Sequence, residues 1–169
     1  MKYQIALSII LSSLVVLNSC KGEKADSGID KELYDMAKST NGFVWYKNSN
    51  SLLDKSNGSG HPQAKLRTRY NATAASQLDS EGKILPNAIF PTGSLIVKEL
   101  HTISGNLDRY ALLWKQPDNE FADENGWVWG YINSNGNVAA SAEERGTACI
   151  NCHSQSDNID YMLMNKFFP

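Results

Sequence analysis

Cys149-Ile150-Asn151-Cys152-His153 constrains this chain more than any other segment. Two thiols three positions apart, followed at once by an imidazole, form the C-x-x-C-H attachment signature of a c-type haem. Each cysteine sulfur can add to one haem vinyl group, and the histidine that follows reaches the iron from one side. The spacing matters because two thioethers and one iron–nitrogen bond must form on one rigid macrocycle. A bare C-x-x-C would leave a thioredoxin-like dithiol or half of a zinc site open. Neither is supported here, because the motif has no βαβ context and no second cysteine pair. The motif predicts one covalent haem c, held by Cys149 and Cys152, with His153 as the metal ligand.

The N-terminus agrees with that prediction. Lys2 supplies a positive start, Ile5 to Leu17 is apolar apart from serines, and Leu17-Asn18-Ser19-Cys20 resembles a bacterial lipobox. Such segments are export signals and take no part in the fold. The run is short for a permanent membrane span; an uncleaved anchor is the alternative. Residues 1–19 are therefore expected to be a lipoprotein signal peptide. Lipid on Cys20 would tether the mature chain, residues 20–28 would be a linker, and residues 29–169 would be the haem domain. Haem c is attached on the same exported side. The expected location is the bacterial cell envelope, on a membrane facing the periplasm. The chain has three cysteines. Lipid accounts for Cys20 and haem for Cys149 and Cys152, which leaves none for a disulfide.

The mature length of about 150 residues is the size of one domain and suffices for a core and one haem. The formal net charge of −2 and the absence of a basic patch argue against nucleic acid as a partner.

Ser27-Gly28-Ile29-Asp30 resembles a capping box, and Ile29, Leu33 and Met36 repeat at helical spacing. This predicts an amphipathic helix over 29–39, stopped by Asn41-Gly42. Residues 47–60, rich in Asn, Ser and Gly, read as a loop. Four strands follow from alternation or apolar runs: 64–70, 94–100, 109–115 and 127–132. Asn71 is placed to cap a short helix through Leu78. Ser141-Ala142-Glu143-Glu144 is a second capping box, expected to open a short helix that delivers the haem motif. The fold class is α+β: a mainly antiparallel sheet with flanking helices, and a short C-terminal helix carrying the haem c motif.

The late position of the motif excludes common arrangements. Helical electron-transfer cytochromes carry it near the start, with a methionine ligand tens of residues later. Here only residues 154–169 follow, and Met162 and Met164 are expected to pack in the core. Four-helix-bundle cytochromes would need long helices where residues 64–132 read as strands. His61 and His101 are the only other histidines. Either is an alternative sixth ligand, although surface or hydrogen-bonding roles are the plainer reading. The expectation is a distal side without a strong ligand, suited to binding or chemistry of small molecules.

Lys65 to Tyr70, Phe90 to Leu100, Trp127-Val128-Trp129, the Cys149 to His153 motif and the closing Asp160 to Pro169 together resemble the cytochrome P-460 family over roughly residues 61–169. The resemblance implies a mainly antiparallel sheet, one covalent haem and frequently a homodimer. Some members of that family join a lysine to a porphyrin meso carbon and oxidise hydroxylamine, with nitric oxide chemistry. Their relatives, the β-type cytochromes c-prime, lack that bond and bind diatomic gases. Lys98 falls where the cross-linking lysine would be, and Arg67 where a distal basic residue would be.

The residues bear on both positions. In an alternating strand Lys98 shares a face with Ile96 and Leu100, where desolvation would favour a neutral, nucleophilic amine. Leu95 and Val97 make the other face apolar too, so solvent exposure of Lys98 is the alternative. Arg67 could stabilise charge on bound NO or hydroxylamine, or be a surface residue beside Lys65 and Arg69. Trp127 and Trp129 read as core. The resulting expectation is an exported, membrane-tethered monohaem cytochrome acting on hydroxylamine or nitric oxide, with electrons passed to a partner cytochrome. A non-catalytic NO- or CO-binding module and a plain electron-transfer cytochrome are the alternatives.

Overall fold

The computed structural model describes residues 23–169. The expected signal peptide and Cys20 lie outside the described residues. The described strands are β1 (Val44–Trp45), β2 (Leu53–Asp54), β3 (Lys65–Tyr70), β4 (Leu95–His101), β5 (Leu107–Lys115), β6 (Trp127–Asn133) and β7 (Val138–Ala140). They form one antiparallel sheet in the order β1-β3-β4-β5-β6-β7, with β2 also pairing β3. The four long strands are the four expected from the sequence. Helix α1 (Gly28–Lys38) precedes the sheet, α2 (Ala72–Ala75) follows β3, and two single-turn helices, α3 (Ile150–His153) and α4 (Met164–Phe167), close the chain. The architecture is mainly antiparallel sheet with a few short helices, consistent with α+β.

Period-two alternation gives the sheet two apolar faces. Leu95 and Val97 of β4, Leu112 of β5 and Val128 and Ile132 of β6 face α1, which buries Ile29, Leu33 and Ala37 against them. Ile96 and Leu100 of β4, Leu66 and Tyr70 of β3, and Trp127 and Trp129 of β6 face the other way, under Met162 and Met164. β4 reads apolar on both faces because both are covered. Trp127 is fully buried, and Met164 takes a hydrogen bond from Thr68 Oγ1 to its sulfur at 3.3 Å. The methionines and Trp127 are core residues, as expected.

Three local expectations change. Ser27 stands before α1 without a side-chain cap bond. Asp30 instead reaches across the fold, accepting from Ser141 Oγ at 2.6 Å and Ala142 N at 2.9 Å. The helix expected from Ser141 is one 3-10 turn over Ala142–Glu144, ended by Arg145 in left-handed backbone. The helix begun at Asn71 stops at Ala75 rather than Leu78; its cap is as expected, Asn71 Oδ1 accepting from Ala74 N at 2.9 Å. Among the described residues no helix is long and apolar enough to cross a membrane.

Candidate functional site

One register row defines the site. Thr68, Lys98, Ala111, Tyr131 and Ala140 lie side by side across β3, β4, β5, β6 and β7. All five are on the sheet face opposite α1. Ala111 and Ala140 are small, so the row leaves a shallow floor. Beyond it opens a cavity of about 420 Å³, walled by Leu66, Leu163, Phe168 and the loop at Gly60–Pro62. Cys149, Cys152 and His153 close it from the far side. A recess of about 50 Å³ continues inward between Ile96, Trp129, Met162 and Met164.

The sequence motif folds as a tight turn leading into α3. Gly146 makes this approach possible: a Cβ there would stand 2.5 Å from Cδ1 of Trp129, and its φ of +70° favours glycine. Cys149 is half-buried, and its thiol is pushed up by burial, then by Glu144 and Cys152. Cys152 is exposed, and both thiols are free.

His153 ends α3 with its ring inside the cavity. Its Nδ1 lies 2.8 Å from the carbonyl oxygen of Tyr161. A carbonyl only accepts, so Nδ1 carries the proton and Nε2 keeps its lone pair. Burial, reinforced by the Lys98 ammonium, lowers this histidine to about 4. It is neutral at physiological pH and prepared to ligate a metal. The edge of Trp129, with ring centroids 5.2 Å apart, fixes its orientation. Trp129 is thus both core and neighbour of the site.

Lys98 points into the same cavity, on the face of Ile96 and Leu100. Desolvation lowers its amine to about 8. No carboxylate pairs with it among the described residues. Roughly a tenth of such an amine is neutral and nucleophilic at pH 7. Lys98 is half-buried, and its side chain lines the cavity rather than the outer surface.

Arg67 corrects an expectation. It pairs across the strands with Glu99, one row from Lys98, and so faces the α1 side of the sheet. Its Nε donates to Glu99 Oε2 at 2.6 Å, and its guanidinium lies 4.6 Å from the Trp45 ring centre. Arg69 also binds Glu99, and His101 lies 3.3 Å from the same carboxylate. Arg67 and His101 therefore belong to an ionic cluster on the opposite face, and strand alternation removes both from the cavity.

The residues missed as a group are Tyr131, Asp160 and Tyr161. Asp160 accepts from Trp127 Nε1 at 2.9 Å, Phe90 N at 2.9 Å and Lys115 Nζ at 3.2 Å. It anchors the turn that presents the Tyr161 carbonyl to His153. Nothing local in the sequence marks that role, which depends on contacts 33 to 70 positions away. His61, considered only as an alternative ligand, lines the cavity beside Tyr131.

The donor set fits a haem. A cavity of this volume is within the range for a large cofactor. It offers two free thiols, one imidazole with an open nitrogen, apolar walls and a floor of small side chains. Comparison with curated proteins and with solved structures finds no match. The family model described as Cytochrome P460 matches residues 44–164, a span that includes the long strands, Lys98 and the Cys149 to His153 motif. The chain belongs to the cytochrome P460 family.

Proposed function

We propose that this chain is an exported, lipid-anchored monohaem c-type cytochrome that turns over hydroxylamine or nitric oxide in the cavity between β4 and α3. The observation that carries the reading is the placement of a desolvated Lys98 amine in one cavity with Cys149, Cys152 and His153. Cys149 and Cys152 would hold the macrocycle through thioethers, and His153 Nε2 would ligate the iron. Held there, the haem would supply one-electron redox chemistry and a place for a small nitrogen ligand to bind. The protein's part is to orient that group, exclude bulk water with Leu66, Leu163 and Phe168, and hold Lys98 against it.

Electrons would leave to a partner cytochrome in the periplasm, with Cys20 lipid keeping the domain at a membrane. Nucleic acid has no place in this reading, and a homodimer accords with the family. The second reading is a non-catalytic NO- or CO-binding module, favoured by the apolar lining of the inner recess. It differs in having no Lys98–haem bond.

The test is expression with a cytochrome c maturation system. Intact mass should show one added haem that resists acidified organic solvent, and hydroxylamine should reduce an artificial acceptor only in the presence of the holoprotein. Extractable haem would overturn the c-type reading. Covalent haem without hydroxylamine turnover would favour the gas-binding module.

A further inference from the structure

His61 is a half-buried group lining the cavity that the haem c reading leaves without a task. It enters from the loop after Gly60 and faces His153 across the space, with ring centroids 6.3 Å apart and planes at 71°. Two metal–imidazole bonds of about 2 Å, with roughly 1.2 Å from each bonding nitrogen to its ring centre, span about 6.4 Å. The separation therefore matches that of two imidazoles on opposite sides of one metal.

The chemistry of the ring agrees. His61 Nδ1 is 3.3 Å from the hydroxyl of Tyr131. With Nδ1 donating to that oxygen, Nε2 is left with a free lone pair. Arg109 lies over the Tyr131 ring at 4.5 Å and helps hold it in place. Burial lowers His61 to about 3, so its imidazole is neutral. The loop sits against the attachment motif: a Cβ on Gly60 would stand 3.5 Å from Cys152 Sγ.

The same loop is lightly held. Among the described residues, the amides of Gly60, His61 and Gln63 make no backbone hydrogen bond. Segments with few such bonds open at low free-energy cost.

We propose that His61 is a displaceable sixth ligand of the haem iron, bound opposite His153 and released when a small ligand takes its place. This rests on the haem c reading. It replaces the expected open distal side with one closed at rest. Entry of NO would then be limited by the fraction of molecules in which His61 has swung away.

The test uses the full-length holoprotein, with haem attachment first checked by mass. Resting ferric protein should give the low-spin electron paramagnetic resonance signal of a bis-imidazole haem. His61→Ala should convert it to high-spin, and added imidazole should restore the low-spin state. NO affinity should rise by about tenfold or more in His61→Ala. His61→Met, a second variant against misfolding, should give a histidine–methionine spectrum and a higher midpoint potential. Haem-loaded wild type that is high-spin at rest overturns the proposal and leaves the c-type reading standing. A low-spin signal that survives in His61→Ala but is lost in Lys98→Ala assigns the position to the lysine and also overturns it. Absence of covalent haem overturns both readings.

Discussion

His153 Nδ1 donates to the Tyr161 carbonyl at 2.8 Å, and that carbonyl belongs to a turn in which both Asp160 and Tyr161 have left-handed backbone, with φ of 47° and 70°. Such conformations in non-glycine residues persist only where surrounding contacts hold them. The Asp160 carboxylate is that hold.

Asp160→Ala should therefore act on both stability and ligand orientation. It leaves Lys115, Trp127 Nε1 and the Phe90 amide without their shared acceptor. The side chains of Lys115 and Asp160 are only 11% and 12% exposed. Loss of about 2–4 kcal/mol is expected in urea unfolding. The ferrous haem spectrum of the variant should broaden as His153 loses its fixed orientation. An unchanged unfolding midpoint would show that the turn is held by other contacts.

Much of the fold was legible in the sequence because period-two alternation and apolar runs directly encode strands. The segments around Leu66, Ile96, Leu112 and Trp129 all became strands at nearly the expected bounds. The short strands at Val44–Trp45, Leu53–Asp54 and Val138–Ala140 carry too few residues to show a period. Lys98 could be placed on a face by alternation, but β4 is apolar on both sides. Only the packing of α1 against Leu95 and Val97 tells which face stays open. The distal role of Arg67 came from the family resemblance alone; alternation sets it beside Lys65 and Arg69, on the face away from the cavity. His61 could be read only as one of two alternative ligands, because a loop residue has no period to give it a face, and His153 is 92 positions away.

The ionic cluster behind the sheet gives a prediction that separates stability from chemistry. Glu99 is 5% exposed and serves Arg67, Arg69 and His101. Arg67→Ala should cost about 1–2 kcal/mol, through the lost ion pair and the contact with Trp45. It should leave the haem spectrum unchanged. Glu99→Gln should cost more, about 3–5 kcal/mol, because the fully buried Arg69 loses its counter-charge. A spectral change in Arg67→Ala would bring that arginine back to the cavity.

The two cavity histidines contribute to the acid sensitivity of the apoprotein, made as Cys149→Ser with Cys152→Ser. Burial holds them at about 3 and about 4 in the folded protein, below the ordinary histidine value of 6.5. Between pH 6.5 and those values the unfolded chain binds more protons than the folded one. Stability therefore falls as pH drops through this window. From pH 7 to pH 5 the two together should remove about 4 kcal/mol. His61→Gln should roughly halve that loss. Equal urea midpoints at pH 7 and pH 5 would place both rings in water.

Lys98 decides between an enzyme and a gas-binding module. Its amine is desolvated, without a carboxylate partner among the described residues, in the cavity that holds Cys149 and His153. A bond from Nζ to a porphyrin meso carbon replaces one C–H and one N–H bond with a C–N bond. That change releases two electrons and two protons, so it requires a two-electron oxidant such as peroxide. A third tether of this kind would distort the macrocycle and alter its electronics, one of the ways proteins tune a haem. Peptide mapping of the holoprotein should find the Lys98 peptide joined to the peptide of residues 149–153 through the haem. Lys98→Ala should then show an ordinary haem c spectrum and lose hydroxylamine oxidation, while retaining NO binding. Lys98→Arg keeps a cation but is too weakly nucleophilic to bond, and should behave like Lys98→Ala. Recovery of Lys98 on a free peptide after peroxide treatment, with an ordinary spectrum in the wild type, would leave the cavity as a binding site for diatomic gases.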